Sequence, residues 1–156
     1  MATSPIRPTT DEARALARRL LGDARHGALG VLDPVGGGPL VSRVAVGLDG
    51  AEPLILVSSL AAHAQALRAD PRCSLLVGDP GRGDPLAHPR LTLVARAGAA
   101  DKAALRAGWL AIHPKSALYI DFADMALLRL RVKEAHLNGG FGQAYRLVPG
   151  DLRPPA

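Results

Sequence analysis

Strand-length runs separated by turns rich in glycine and proline constrain the fold of this chain more than any other feature of its sequence. Ala28 to Leu32 is a short apolar run, and the segment Asp33 to Pro39 that follows it has the composition of a turn. In the next run the residues of one face, Ser42, Val44, Val46 and Leu48, alternate with Val41, Arg43, Ala45 and Gly47. This pattern predicts a strand, a reversal and a second strand that carries Arg43 on the face opposite to Val44 and Val46.

Further strands and helices are predicted along the rest of the chain. The strands cover residues 54–57, 73–78, 90–97, 126–137 and 143–148, and the glycine-dense turn 138–142 joins the last two. Helical spacing predicts a first helix over about 10–24, which Thr9 to Glu12 precedes in the form of a capping box. It also predicts a short helix over 60–68 and a pair of helices from Asp101 to Ile120, which His113-Pro114 interrupts. The order is one helix, about four strands with a small helix among them, the helical pair and two final strands.

This order favours a single α+β domain built around a mostly antiparallel sheet or small barrel. The chain has 156 residues, the size of one ordinary domain, and its ends, 1–8 and 150–156, are predicted to be flexible. No segment has the pattern of an export signal or of a membrane-spanning helix, so a cytoplasmic protein that does not enter a membrane is expected. The one cysteine, Cys73, lies in an apolar run, where a buried structural thiol is favoured over a nucleophile.

The formal net charge of +5 raises the possibility of a nucleic-acid partner. The arginines are scattered singly from Arg7 to Arg153, and aromatic residues make up only 3% of the chain, which leaves little surface for base stacking. We therefore expect no nucleic-acid partner, and the charge indicates only a mild preference for anionic ligands.

The segment from Leu54 to Arg68 contains the most informative candidate site. A predicted buried strand ends at Ser58-Ser59, directly before a predicted helix. The N-terminus of a helix presents unpaired N–H groups and a partial positive charge, both of which favour an anion. If Arg43 and Arg68 approach this point, their guanidinium groups can bind a phosphate in bidentate fashion. The alternative is that Ser59 is an ordinary N-cap and both arginines are solvated.

Several motifs resemble one known family in the same order along the chain. They are Ser42-Arg43-Val44, Ser58-Ser59-Leu60-Ala61-Ala62-His63, Asp70-Pro71-Arg72-Cys73-Ser74-Leu75-Leu76, Asp84-Pro85-Leu86, Pro89-Arg90-Leu91-Thr92-Leu93, His113-Pro114, Tyr119 with Asp121-Phe122-Ala123-Asp124, and Gly139-Gly140-Phe141-Gly142-Gln143-Ala144. Together they are similar to the pyridoxamine 5'-phosphate oxidase-related FMN-binding split barrels, in the branch that contains the haem-utilisation flavin-fold proteins. The resemblance implies a split β-barrel with flanking helices and a homodimer that holds FMN in clefts between its subunits.

The resemblance also implies a set of cofactor-binding residues, which are Ser42, Arg43, Val44, Ser58, Ser59, Leu60, His63, Arg68 and Gln143. In this set Ser42 and Arg43 lie along the flavin and its phosphate, the two serines bind phosphate or ribityl oxygens, and the turn before Gln143 closes against the partner subunit. The chain departs from the family pattern at Ala64 and Ala66, where the family usually has Thr and Asn. Losing these side chains removes cofactor hydrogen bonds, each worth about 0.5–1.5 kcal/mol, so FMN is expected to bind weakly or to be replaced by another ligand.

No metal site and no catalytic side chain are predicted. The five histidines lack metal-ligand spacing, and structural or solvated roles are favoured for His113 and His136. Trp109 and Tyr119 are expected in the core or at the dimer seam, and Asp121 and Asp124 in capping or loop-bridging roles. The favoured function is an FMN-dependent oxidoreductase acting on a small substrate, in which the flavin performs the electron transfer. The alternative is a flavin or haem carrier without turnover.

Overall fold

Strands and helices alternate irregularly in the computed structural model, which describes residues 4–156. The strands are β1 (His26–Leu32), β2 (Pro39–Asp49), β3 (Glu52–Ser58), β4 (Arg72–Val77), β5 (Arg90–Ala99), β6 (Met125–Asn138) and β7 (Ala144–Leu147). The α-helices are α1 (Asp11–Asp23), α2 (Ala62–Ala69), α3 (Lys102–Ile112) and α4 (Pro149–Leu152), and two short 3₁₀ segments cover Pro85–Ala87 and Pro114–Leu118. Five strands precede α3, and each overlaps one of the strands predicted individually from the sequence, although the predicted order counted about four.

Six of the strands close into an antiparallel barrel. The sheet order is β3-β2-β1-β4-β5-β6-β7, and β3 also pairs with β6 over Ser58↔Met125 to Leu54↔Arg129, which closes the ring. β6 is long enough to pair with β3 near its start and with β7 near its end, so β7 extends the sheet outside the ring. The predicted fold class, an α+β domain around a mostly antiparallel barrel, is confirmed.

The barrel is filled by the apolar residues that alternate along its strands. Leu29, Ile55, Leu75, Leu93 and Leu130 are each 0% exposed within this core. α1 contributes Ala13, Ala17 and Leu21 to the same cluster, and α2 contributes Ala64, Ala66 and Leu67. Cys73 is buried here as predicted, and burial raises the pKa of its thiol to about 11, which keeps it protonated at neutral pH.

A second, smaller core lies between α3 and the outer face of the barrel. It contains Leu54, Trp109, Ile120 and Leu127. The Trp109 ring lies so close to Gly47 of β2 that a Cβ atom there would be 2.9 Å from it. The Trp109 indole also donates a hydrogen bond to Ser116 Oγ at 3.1 Å. The prediction that Trp109 packs in the core is confirmed, whereas Tyr119 is 39% exposed.

The ends of the chain pack differently from the prediction. The Thr10 side chain caps α1 by accepting a hydrogen bond from Ala13 N, so the capping residue is Thr10 and not Thr9. Near the C-terminus, the short helix α4 buries the Leu152 side chain to 3% exposure. The sequence did not predict this helix, which lies mostly within the end, 150–156, that was expected to be flexible. Of the N-terminal end, residues 1–3 lie outside the described part of the chain.

Candidate functional site

One hydrogen bond joins β2 to the first turn of α2. Ser42 Oγ lies 3.2 Å from His63 Nδ1, although the two residues are 21 positions apart. Both side chains are half-buried, and burial lowers the pKa of His63 below its usual value, which favours the neutral ring. The structure therefore brings together two of the residues predicted to line a cofactor site.

The two serines at the end of β3 contact the loop before β6 instead of capping a helix. Ser58 Oγ donates to Asp124 Oδ2 at 2.8 Å, and the Ser59 N–H donates to the Asp124 carbonyl oxygen at 2.7 Å. The helix starts at Ala62, so it does not begin directly after the serines, and its N-cap is Ala61. The alternative interpretation of Ser59 as the N-cap is therefore wrong, and Asp124 has the loop-bridging role that was expected.

The N-terminus of α2 has no side-chain cap. Ala61 offers no side-chain acceptor, and the first N–H that bonds backward is that of Gln65, to the Ala61 carbonyl oxygen at 3.1 Å. The N–H groups of Ala62, His63 and Ala64 consequently have no acceptor within residues 4–156. Such unpaired N–H groups at a helix N-terminus provide a suitable environment for an anion.

A cleft of about 310 Å³ separates α2 from the barrel strands β5 and β6. Its polar lining comes from Ser59 and Arg68, and small residues such as Ala64 and Gly98 leave room between them. Ala64 therefore faces a cleft, whereas Ala66 is 0% exposed in the barrel core. Of the two departures from the family pattern, only the one at Ala64 changes the lining of this cleft.

The predicted residues do not all meet at this cleft. Arg43 projects from the outer face of β2, opposite to Ser42, and both Arg43 and Arg68 are exposed without a hydrogen bond or ion pair to a described residue. The Val44 side chain is 6% exposed in the core, and Leu60 is 76% exposed. Gln143 lies at the glycine turn, where its carbonyl oxygen accepts from the Gly139 N–H at 2.9 Å.

Gln143 and Ser58 are well separated within one chain. Gln143 immediately precedes Ala144, which pairs with Asn138 at the end of β6, whereas Ser58 pairs with Met125 at the start of β6. Met125 and Asn138 are 13 positions apart on this strand, which at about 3.3 Å per residue is roughly 43 Å. One chain therefore does not gather all the predicted cofactor-binding residues around a single ligand.

The histidines outside α2 have local partners. His113 Nε2 lies 2.8 Å from the Val46 carbonyl oxygen, and its ring lies against Trp109, with the ring centroids 4.6 Å apart. His136 is exposed on β6, with Nε2 at 3.3 Å from Glu134 Oε1. Both positions fit the structural and solvated roles expected from the sequence. Residues 4–156 contain no group of three or more His, Cys, Asp or Glu side chains placed to hold a metal ion.

The sequence did not indicate the role of Asp124 in positioning Ser58. These residues are 66 positions apart, and they meet because Ser58 pairs with Met125 where β3 closes the barrel on β6. Only knowledge of that strand pairing links them. Among the described residues, no helix is long and apolar enough to cross a membrane.

Comparison with known proteins relates this architecture to those of several other proteins. No family model matches the chain. The chloroplastic non-canonical haem oxygenase HOZ of Arabidopsis thaliana is 39% identical over 97 residues, which are 60% of this chain and 29% of that protein. The chain thus spans less than a third of the length of this curated relative.

Solved structures extend the similarity over nearly the whole chain. One is 47% identical with a TM-score of 0.90, and the match covers 96% of this chain and 100% of the other. A haem-binding protein from Mycobacterium smegmatis is 32% identical with a TM-score of 0.84, over 94% of this chain and 61% of that protein. A third structure is that of a Clostridium acetobutylicum protein of the pyridoxinephosphate oxidase family, related to general stress protein 26. It is 14% identical with a TM-score of 0.72, over 92% of this chain and 99% of that protein. At this identity the similarity is one of fold alone.

The closed antiparallel barrel with flanking helices and these matches define the class: the chain is a split-barrel protein. The same fold occurs in a putative pyridoxamine 5'-phosphate oxidase from Listeria innocua and in HutZ, a haem storage protein from Vibrio cholerae. The structural neighbours of the chain thus include proteins of the pyridoxamine 5'-phosphate oxidase family and haem-binding proteins, which share the closed antiparallel barrel. The resemblance found in the sequence is confirmed.

Proposed function

We propose that this chain binds FMN at the N-terminal end of α2 and acts as an FMN-dependent oxidoreductase on a small substrate. The observation that carries the proposal is the set of phosphate-binding groups left unpaired there. The N–H groups of Ala62, His63 and Ala64 have no acceptor in the described chain, and Arg68 lines the adjoining cleft without an acidic partner. Unpaired N–H groups and guanidinium groups are the donors that bind phosphate most effectively.

The residues around this end would orient the cofactor. The His63–Ser42 hydrogen bond holds β2 against α2, so the strand position of Arg43, the next residue, is fixed relative to the helix N-terminus. Asp124 fixes Ser58 in the same way through its 2.8 Å hydrogen bond. When bound, FMN supplies hydride or electron transfer, and the protein provides orientation and electrostatics. No side chain of this site is required as a nucleophile.

The proposal includes a homodimer because one chain leaves the site incomplete. Arg43 faces outward from β2, and Gln143 lies at the end of β6 opposite to the end that pairs with Ser58. A ligand that contacts the outer face at Arg43 would therefore meet Gln143 of the partner subunit across a two-fold seam. Val41 and Leu76 are exposed on the same outer face, at 67% and 42%, which supports a partner covering it.

Three measurements test this proposal. The purified protein is expected to carry flavin absorbance, or to acquire it with one FMN per chain on titration. Light scattering is expected to give twice the mass of 16.2 kDa. Oxidation of reduced nicotinamide by the loaded protein would then identify an enzyme. A monomer without affinity for FMN would overturn the proposal.

A second candidate is a haem carrier without turnover, because a 32% identical relative is a haem-binding protein. His136 is an exposed histidine on β6, two residues before Asn138, where the strand ends at the glycine turn that was predicted to close against the partner subunit. Titration with haemin distinguishes the two functions. A Soret shift in wild type that is lost in His136→Ala, together with no affinity for FMN, would favour the carrier.

A further inference from the structure

Three arginines stand in register on the outer face of three adjacent strands. Arg72 of β4 lies directly opposite Arg96 of β5, and Arg96 lies directly opposite Arg131 of β6. Residues paired in this way project from the same face of a sheet, with Cβ atoms about 4.5–5.5 Å apart, and like charges in such pairs are destabilising. All three residues are exposed, and we name them the arginine row.

Only part of the positive charge in this region is neutralised within the chain. Asp70 holds Arg72 through both of its carboxylate oxygens, with Nη2 to Oδ2 at 2.7 Å, and this contact lowers the pKa of Asp70 to about 2. Arg129, farther along β6, is paired with Asp49 at 2.6 Å. Arg96 and Arg131 form no ion pair with any acid of residues 4–156.

A bulge adds a third unpaired cation to the same face. Val94 pairs with Glu134 and Ala95 pairs with Val132, so Lys133 is the extra residue of β6. Lys133 is exposed and has no acidic partner in the described chain. Lys133, Arg96 and Arg131 therefore place three positive charges near one another, and none of them forms an ion pair within the described chain. The acids nearest to them already have other partners: Asp70 is paired with Arg72, and Glu134 contacts His136 and Arg146.

Two hollows lie on either side of Arg96. The first, of about 430 Å³, has Arg72, Arg96 and Lys133 on its rim and a largely apolar floor that includes Val31 and Ala95. This floor is open because the pairing of β1 with β4 ends at Gly30↔Ser74. The second hollow, of about 460 Å³, is lined by Arg96, Arg131 and Lys133 together with Gly98.

We propose that the arginine row and Lys133 bind a small phosphate ester with a compact apolar body. A dianionic phosphate matches two facing guanidinium groups and an ammonium group better than a singly charged carboxylate does, because each guanidinium can donate two parallel hydrogen bonds. The apolar floor of the first hollow is suited to the body of such a molecule. Neither hollow is lined by an aromatic residue on which nucleic-acid bases could stack, which favours a small ligand over a nucleic acid.

The first hollow shares no lining residue with the cleft beside α2 that is proposed to bind FMN, whereas the second hollow shares Ala97, Gly98 and Ala99 with that cleft. The apolar body of the ligand is assigned to the first hollow, and Arg43 and Arg68 line neither hollow. The inference therefore does not depend on FMN binding. It also gives a reason for retaining a cross-strand pair of like charges that costs stability in the absence of a ligand.

The experiment uses 1-naphthyl phosphate as the probe and isothermal titration calorimetry of the full chain, with and without saturating FMN. One site per chain is expected in both conditions, and 1-naphthol, which lacks the phosphate, should bind at least tenfold more weakly. The double variant Arg96→Gln with Arg131→Gln should lose at least tenfold in affinity for the phosphate. Arg19→Gln and Arg25→Gln together form the control, because they remove the same charge from other exposed arginines, on α1 and in the segment that follows it.

Two results would overturn the proposal. The first is an affinity of the double variant equal to that of wild type and the control. The second is full competition of a single-stranded RNA with the probe, together with tighter binding of the RNA through the same residues. That result would show that this face binds polyanions in general. Thermal unfolding without ligand checks the folding of the variants: relief of like-charge repulsion should leave Tm unchanged or higher. If the double variant does not fold, Lys133→Gln in the bulge provides the test, with at least a threefold loss of affinity expected.

Discussion

The helices α2 and α3 both follow a barrel strand, but the two use their polar groups in opposite ways. At the start of α3, Asp101 accepts a hydrogen bond from Ala104 N, and Lys102 Nζ donates to the carbonyl oxygens of Ile120 and Met125 at 2.9 and 2.7 Å. At the start of α2, Ala61 provides no side-chain cap. The α3 region satisfies its polar groups internally, which makes it a structural support.

The charged residues show the same contrast. Arg106 of α3 is paired with Asp121 at 2.7 Å, whereas Arg68 of α2 and Arg43 of β2 have no acidic partner in the described chain. Groups that are already paired gain little from a ligand, and groups that are unpaired gain hydrogen bonds and favourable charge interactions. The comparison therefore assigns stability to the α3 region and ligand binding to the α2 region, and each prediction below tests one side of it.

The largest effect is expected for Trp109→Ala on the α3 side. The indole is 2% exposed and packs on Gly47, so its removal should lower the free energy of unfolding by about 3–5 kcal/mol. Urea denaturation measures this loss, and Leu60→Ala, at a residue 76% exposed beside α2, should change the stability by no more than about 0.5 kcal/mol. Equal losses for the two variants would remove the distinction between the regions.

Arg43→Ala tests the ligand-binding side. Loss of a charge-assisted phosphate contact should weaken FMN binding at least about tenfold, or about 1.4 kcal/mol, with little change in stability. The control is Arg106→Ala, which removes a paired arginine from α3 and should leave the FMN affinity unchanged. Unchanged affinity in Arg43→Ala would exclude this residue from the site.

Exchanging the caps of the two helices sharpens the comparison further. Ala61→Asp supplies α2 with the cap that it lacks, so the free protein should become about 1 kcal/mol more stable. FMN should bind more weakly to this variant, because the carboxylate accepts hydrogen bonds from the N–H groups and repels a phosphate. Asp101→Ala should cost α3 about 0.5–2 kcal/mol and leave FMN binding unaffected. Stronger FMN binding by Ala61→Asp would contradict an anion site at this end.

The smallest effect is expected for Ala64→Thr. Ala64 lines the cleft beside α2, and the added hydroxyl should tighten FMN binding by about 0.5–1.5 kcal/mol. Ala66→Thr is the matched control, because Ala66 is fully buried in the barrel core and a hydroxyl there should reduce stability without a gain in affinity. A fluorescence titration gives both affinities, and an equal or looser complex for Ala64→Thr would refute this interpretation of the family difference.

The sequence predicts the barrel better than it predicts the site. Alternation along β2 correctly placed Arg43 opposite to Val44 and Val46, and the apolar run at residues 54–57 correctly indicated β3. Periodicity reports which face of an element is buried, and that depends only on neighbouring residues. The Ser58–Asp124 contact and the separation of Ser58 from Gln143 depend on which strands pair across the closed barrel, information that local patterns do not contain.

Binding of FMN compared with riboflavin tests the central claim most directly, because the two ligands differ only in the phosphate. Flavin fluorescence during titration of the wild-type protein gives both dissociation constants. If the end of α2 binds a phosphate, FMN should bind with one equivalent per chain and at least about tenfold more tightly than riboflavin. Equal affinities for the two flavins, or no binding of either, would contradict the account.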